Sequence, residues 1–400
     1  MKKDIAWNTF GNIFYGFCTW VISIIVVRMG SFTDAGYLSI AMSTASTWSA
    51  VALFAMRNYQ ITDVEHEYTD SQYVSSRVIS CIAAYVILVF AAFMSGSVYQ
   101  ALCIIAFMPV RLSEAYSDVF HGIDQMNDRY DLIGKSFVFR GLATLLIFIV
   151  GFRLSDNLLL TLLIIAIVDF AISIIWDYGK TSGITTIRLH LKDSHIFRLF
   201  LTCLPLMLYT LFFNLINNMA RTILQQMKGT ELQGIYSSIS NPVLVVQVMA
   251  TTVFAVFLPG LAHMLEEKDY GGFRKRLLQI FAAYAGLSAL VIILAQLLGK
   301  WVLALLLGDE ILAHYDIFMP VIIVTLLNGF VSVMQAVLVA LRRQWTLSIG
   351  MAAVFAVFMC IVHPGISHWG VNGTSYVQSI VYVIYIIFAL IVTAISARKS

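Results

Sequence analysis

Long apolar runs follow one another from end to end of this chain, separated by short polar connections. A helix needs about 20 mostly apolar residues to cross the hydrocarbon of a bilayer. By that measure the pattern predicts twelve spans, at roughly 7–29, 36–57, 74–96, 98–119, 132–152, 157–177, 198–221, 233–260, 275–298, 314–340, 343–362 and 371–395. No connection is long enough to hold a folded extramembrane domain. The expectation is an all-α polytopic membrane protein, against the two or three soluble domains that 400 residues would otherwise suggest.

The pattern also repeats weakly. Phe107-Met108-Pro109-Val110 in span 4 recurs as Phe318-Met319-Pro320-Val321 in span 10. The approach to span 2, Met29 to Gly36-Tyr37, resembles the approach to span 8, Met227 to Gly234-Ile235-Tyr236. Both pairs lie six spans apart, an even number, so the chain reads as two parallel six-helix repeats, an arrangement of many transporters. The predicted division is a first lobe over 1–178, a cytoplasmic linker over 179–197 and a second lobe over 198–400. Glycines and charges in the linker suit an exposed segment, in part an amphipathic surface helix. Pro109 and Pro320, as repeat equivalents, predict a paired kink. His363, Pro364 and Gly365 are read as the last outer loop.

Composition agrees with this picture: 60% of residues are hydrophobic and 12% charged. The net charge of +3 matters less than its distribution. With Met1 inside, the outer side holds Arg28, Arg153, Arg221, Lys228 and Lys300, and Arg111 lies mid-span; every other Lys and Arg falls on the inner side. The positive-inside rule then places both termini in the cytoplasm. Basic inner loops are a topogenic signal, so no nucleic-acid partner is expected. The five cysteines form no CxxC pair, and no metal or other cofactor is expected. Span 1 is too long, and too interrupted by Asn8 and Asn12, for a cleavable signal.

Polar residues inside the spans are the candidate chemistry. Asn8, Asn12, Tyr15, Thr19 and Ser23 line one face of span 1, which ends at Arg28. Thr210, Asn214, Asn217, Asn218 and Arg221 make a matching stripe on span 7. Matching stripes suit a hydrated cavity between two lobes; the competing reading is hydrogen bonding between helices. Span 4 carries Arg111, Glu114 and Asp118 on one face, span 5 carries Arg140 and span 6 Asp169. A charge at mid-bilayer costs about 2.5–3.5 kcal/mol on insertion scales, so these groups should be paired or hydrated. Arg111, Glu114 and Arg140 are expected to form one network. Either they hold the lobe together, or an arginine serves an anionic substrate and a carboxylate a coupling ion. Asp118 and Arg77 read as structural. Asp169 has no basic neighbour along its own helix, which favours a coupling role, with Glu114 the second candidate. Spans 8 to 12 carry almost no interior charge, and a charged lobe facing an apolar one suits a cargo with an ionic head and a greasy tail.

Several motifs carry a family resemblance. Asn8-Thr9-Phe10-Gly11-Asn12, Val27-Arg28-Met29-Gly30 with Ala35-Gly36-Tyr37, and Arg57-Asn58-Tyr59-Gln60-Ile61-Thr62-Asp63 resemble the polysaccharide flippases of the MOP superfamily. So do Gln233-Gly234-Ile235-Tyr236-Ser237, and His363-Pro364-Gly365-Ile366 with Gly370-Val371-Asn372-Gly373. The resemblance, to Wzx-type O-antigen and capsule repeat-unit flippases, runs from about residue 5 to 395. It implies a V-shaped pair of six-helix lobes that alternate between inward-open and outward-open states. The implied partners are undecaprenyl-pyrophosphate-linked oligosaccharide, the lipid bilayer, and the polysaccharide polymerase and glycosyltransferases of the same pathway. Arg28 matches the position of a cavity arginine and Arg221 is read as its repeat counterpart. The chain lacks the two extra helices of the lipid II flippases.

On this reading the cavity candidates are Arg28, Arg221, Arg111, Arg140, Asn12, Tyr15, Asn214 and Asn218, and the ion-coupling candidates Asp169 and Glu114. One alternative is an ion-coupled multidrug-type exporter of the same superfamily; four arginines in the pathway argue against cationic drugs. Another is a membrane glycan polymerase or ligase, against which stand outer loops that are short and poor in acids. The expectation is a transporter and not an enzyme.

Overall fold

The computed structural model describes residues 2–61, 63, 67–93, 97–191, 193–255, 264 and 269–399. Among them are twelve long helices. In chain order they are α1 (Lys2–Met29), α2 (Phe32–Leu53), α3 (Asp70–Phe93), α4 (Val98–Met126), α5 (Tyr130–Ser155) and α6 (Leu158–Ile172). Then come α7 (Ser194–Lys228), α8 (Thr230–Ala255), α9 (Tyr270–Leu307), α10 (Phe318–Ala340), α11 (Gln344–Trp369) and α12 (Asn372–Lys399). No strand occurs among the described residues. Eleven helical segments there are long and apolar enough to cross a membrane, which makes this a multi-pass membrane protein. They include every predicted span but that of α8, whose predicted stretch 256–260 lies outside the described residues. Large side chains such as Phe90, Phe93, Leu154, Ile175 and Leu297 stand exposed on the helices, as lipid-facing residues should.

Helix starts follow local chemistry. Ser31 and Asp34 form a reciprocal capping box that opens α2. Ser97, Asn157 and Asp269 cap α4, α6 and α9 in the simpler way, the side-chain oxygen taking a backbone N–H.

The chain divides into two compact units, Met1–Asn214 and Leu215–Ser400. In the first, α4 is the hub, packed on α2, α3 and α6, while α5 packs on α6. In the second, α10 packs on α8, α9 and α12, while α11 packs on α12. These are the same pairings six helices later, so the repeat read from short motifs is real in three dimensions. The boundary falls inside α7, because its N-terminal half belongs to the first unit's core. Leu199 and Cys203 pack with Met56, Tyr68, Tyr73 and Phe120. Asn214 Nδ2 donates to the Ser46 carbonyl (3.1 Å).

The α1–α5 contact depends on small residues. A Cβ at Gly11 would strike the Gly134 carbonyl, and one at Gly134 the Trp7 carbonyl. Small residues let membrane helices approach this closely.

Three local expectations fail. Pro320 stands in the first turn of α10, after a 3₁₀ stretch Asp309–Ile317, where its missing N–H costs no helical bond. Of the two, Pro109 alone sits mid-helix, so the paired kink is absent. The segment read as the last outer loop is helical: α11 continues through Pro364 to Trp369 and turns at Gly370, where φ is +63°. Gly365 and Gly373 explain the extension, since a Cβ on either would collide with α12 or α11 across their crossing. The expected amphipathic helix is absent from the described part of the linker. Residues 182–191 run as turns and coil and are held on the start of α3. There Arg188 N–H donates to Ser71 Oγ (3.0 Å) and His190 N–H to Ser75 Oγ (2.9 Å). Gln72 Nε2 donates to Asp193 (2.6 Å).

Candidate functional site

The interior charges of the first unit collect in three adjoining clusters. In the first, Asp118 joins two arginines, Arg57 (3.0 Å) and the fully buried Arg77 (2.9 Å). This cluster exists because α2 stops at Phe54, whose φ of +48° is left-handed. The break frees the Ala52 carbonyl, which accepts Arg77 Nη1 (2.9 Å) and Ser80 Oγ (2.6 Å). Asp118 and Arg77 are paired with each other, as the structural reading of their positions requires.

The second cluster lines a cavity. Arg111 Nη1 pairs with Glu114 Oε2 (2.6 Å), and the Tyr15 hydroxyl donates to the other oxygen of Glu114. Phe107 packs under the Arg111 guanidinium, 5.7 Å from its ring centre. Tyr15, Thr19, Arg111, Glu114 and Thr144 are its polar lining, with Leu38, Met42, Val110 and Phe148 among the apolar groups. Arg111 and Glu114 are each about one-fifth exposed.

The third cluster surrounds Arg140, and here the expected network is wrong. Arg140 does not join Arg111 and Glu114. Its Nε donates to Ser136 (3.4 Å) and its Nη1 to Ser113 (3.0 Å). Its Nη2 reaches Ser117 (2.5 Å), Ser173 (2.6 Å) and Asp177 (3.0 Å). Asp177 also takes the Ser117 hydroxyl (2.5 Å) and contacts His121 Nε2 (3.3 Å). Arg140 and Asp177 are both 1% exposed. A guanidinium so enclosed offers no accessible face to a cargo and works as a structural pin. Its partners Ser173 and Asp177 stand on a π-helical turn, Ser173–Tyr178, that carries α6 onward to a short helix Gly179–Thr181. Wider turns of this kind recur at functional sites. Asp169, also 1% exposed, lies 3.7 Å from Arg140 Nη1, and neither of its carboxylate oxygens has a hydrogen-bond partner.

The remaining candidates scatter. Asn12 and Arg28 are exposed on α1. Thr19 and Ser23 spend their hydroxyls on their own helix, donating to the Tyr15 (3.0 Å) and Trp20 (2.6 Å) carbonyls. Asn214 serves first-unit packing, and its carbonyl also accepts Thr47 Oγ1 (3.3 Å). Asn218 is buried in the second unit. There Asn217, not singled out from the stripe, is the hub. Its Oδ1 accepts Tyr382 OH (3.0 Å), Asn328 Nδ2 (3.3 Å) and Gln378 Nε2 (3.5 Å). Arg221, one turn on, lines a cavity with Asn217, Tyr236, Ser240, Thr325, Asn328 and Gln378.

The two cavities occupy the same place in the repeat. In the register of Gly36 with Gly234 and Phe107 with Phe318, Thr19 answers to Asn217, Leu38 to Tyr236 and Met42 to Ser240. Likewise Val110 answers to Val321 and Glu114 to Thr325. The same register sets Arg221 against Ser23 and Arg28 against Gln226, so the two arginines are not repeat counterparts.

Sequence reasoning missed Asp177, His121 and the serine cage of Arg140. One signal was present: Ser113, Ser117 and His121 recur every four residues along one face of α4.

No family model matches the chain. It is 24% identical over 318 residues to the "Capsular polysaccharide biosynthesis protein CapF" of Staphylococcus aureus, a span covering 78% of each protein. Its fold matches that of the "Lipid II flippase MurJ, inward closed conformation", with a TM-score of 0.75 and 10% identity over 96% of this chain and 87% of that one. It also matches the inward-facing conformation of a multidrug resistance MATE family transporter of the MOP superfamily, with a TM-score of 0.73 and 11% identity over 96% of each chain. The resemblance seen in the motifs is therefore borne out, and the chain is a polytopic membrane protein with the fold of the MOP-superfamily transporters.

Proposed function

We propose that this protein is a flippase that moves polyprenyl-pyrophosphate-linked oligosaccharide repeat units from the inner to the outer leaflet of the bacterial plasma membrane. The units feed surface polysaccharide assembly, and the glycosyltransferases and polymerase of that pathway act before and after it. The observation that carries this reading is the pairing of a capsule-biosynthesis relative with the MurJ fold. Dragging a diphosphate and sugars through hydrocarbon leaves ionic and hydroxyl groups without partners, at several kcal/mol each or more. Alternating access between two lobes, with both termini cytoplasmic, removes that barrier by offering polar groups while the polyprenyl tail stays in lipid.

Arg111 is the first-unit candidate for the pyrophosphate, since it lines the cavity and, among the described residues, is held by Glu114 and the Phe107 face. Arg221 and the exposed Arg28 are the other cationic candidates, and Tyr15, Asn12 and Asn218 the polar ones. Arg140 and Asn214 leave the list, because their polar groups are engaged in packing. Coupling belongs to the first unit, at Asp169 or Glu114.

The MATE likeness favours a second reading, the export of small molecules. Cells lacking the protein separate the two. The flippase reading expects undecaprenyl-linked repeat units to accumulate on the inner leaflet and surface polysaccharide to disappear. Repeat units that still reach the outer face would sink it.

A further inference from the structure

We propose that the second-unit cavity around Arg221 is a binding site for a small inorganic anion, of the size of chloride, which serves as the counter-ion of that arginine. The site stands on the cavity itself and does not depend on the cargo named above.

The lining carries one formal charge, and it is positive. Arg221 stands on α7, seven residues or about 10 Å before the end of that helix. Around it are Tyr236 and Ser240 of α8, Thr325 and Asn328 of α10, and Gln378 of α12, all buried. The ionisable groups whose charge would act on Arg221 are Tyr236 and Tyr382, and a phenol is neutral at pH 7. Along residues 215–400 the acids are Glu231 in the first turn of α8, Asp309, Glu310 and Asp316 in the stretch before α10, and those of the connection 266–269. No acid among the described residues belongs to the lining. Hydrogen bonds from neutral groups offset part of the cost of burying a guanidinium but leave its charge in place. Within a membrane span such a charge is paired or hydrated.

The repeat sharpens the point. In the first-unit cavity Arg111 has the Glu114 carboxylate beside it at 2.6 Å. Glu114 answers to Thr325, whose hydroxyl donates to the Val321 carbonyl of its own helix (2.8 Å). Two cavities in equivalent places thus differ in charge. The first is neutral through its own side chains, and the second keeps an arginine where the carboxylate position holds a hydroxyl. One bound anion makes them alike.

The neutral groups also suit an anion better than a cation. Asn217 Oδ1, the amide oxygen at the centre of the lining, already accepts Tyr382, Asn328 and Gln378. The Gln378 amide keeps a second N–H after that bond, and a guanidinium has five donors in all. Size selects a small ion. The cavity volume of about 40 Å³ takes roughly three water-sized groups. That suits a halide with a water or two, and it is too little for a diphosphate. Arg221 therefore meets the cargo's diphosphate only in a conformation that widens this cavity and releases the small ion.

The test melts the purified full-length protein in detergent, in potassium chloride, bromide or gluconate at one ionic strength. A ligand that binds the folded state alone raises its stability with concentration. Chloride and bromide should raise the melting temperature by a few degrees over gluconate, and saturably. Arg221→Gln should remove that difference, and Arg111→Gln should keep it. Equal melting of the native protein in the three salts, or a halide response that survives R221Q, overturns the proposal. If R221Q does not fold, native crystals grown in bromide decide: an anomalous peak beside Arg221 in the cavity supports the site, and its absence overturns it. Inorganic pyrophosphate at the same ionic strength separates the two sources of negative charge. If it stabilises through Arg221 more than chloride does, the cavity is a cargo subsite and the small-ion assignment falls. A missing halide response with intact lipid-linked glycan transport would overturn the site and leave the flippase reading standing. An Arg221-dependent halide response without glycan transport would do the reverse.

Discussion

Replacing Arg140 by glutamine should cost folding rather than transport chemistry. The arginine makes five hydrogen bonds to Ser113, Ser117, Ser136, Ser173 and Asp177 from a position that is 1% exposed. Breaking a buried ion pair by removing one partner costs about 3–5 kcal/mol, because the other charge is left uncompensated. Here Asp177 keeps Ser117 and His121, which places the cost near the lower end, about 3 kcal/mol. At about 1.4 kcal/mol per tenfold, the unfolded fraction rises roughly a hundredfold. Arg111→Gln is the control. Its ion pair is about one-fifth exposed, so screening brings the loss toward the ~1 kcal/mol of accessible pairs, while transport falls. Thermal melting in detergent, followed by the folded size-exclusion peak, separates the two. If Arg140→Gln melts no lower than Arg111→Gln and keeps its normal level in the membrane, the reading of Arg140 as a pin is refuted.

Two further predictions concern packing and the strap over α3. Gly134→Ala should separate α1 from α5 and lower the melting temperature by more than Gly16→Ala, where an added Cβ meets nothing; equal effects would refute the close crossing. The Gln72 amide, with His195, holds the Asp193 carboxyl down at about 2, below its usual 3.8. A lowered pKa means that this contact stabilises the folded form fully above about pH 4 and is lost as pH falls through about 2. Amide exchange at Arg188 and His190 should therefore accelerate across that window, and in Asp193→Asn at neutral pH; unchanged protection in D193N would remove Asp193 as the clasp.

The helices and their repeat were legible because a bilayer imposes one strong rule. Every backbone polar group must be satisfied within the span, so length and apolarity alone mark it. Gly36 with Gly234 and Phe107 with Phe318 carried enough register to predict the repeat and to match five lining positions of one cavity to five of the other. The site was less legible. Helical spacing put Arg111 and Glu114 on one face correctly, since both lie on α4 and depend on nothing else. Arg140 was misassigned because its partner Asp177 lies on a π-turn, where the 3.6-residue period that sequence reading relies on no longer holds. Pro364 misled in a similar way. It reads as a loop residue, but Gly365 and Gly373 pull α11 and α12 together and carry the helix through it.

The central claim is that the cargo is a lipid-linked glycan diphosphate, and reconstitution tests it most directly. Vesicles carrying the purified protein and undecaprenyl-pyrophosphate oligosaccharide on one leaflet would be probed for the sugar on the other. The account predicts protein-dependent transfer that is lost in Arg111→Gln and competed by inorganic pyrophosphate. Vesicles that move a cationic dye but leave the glycan on its original leaflet would contradict it.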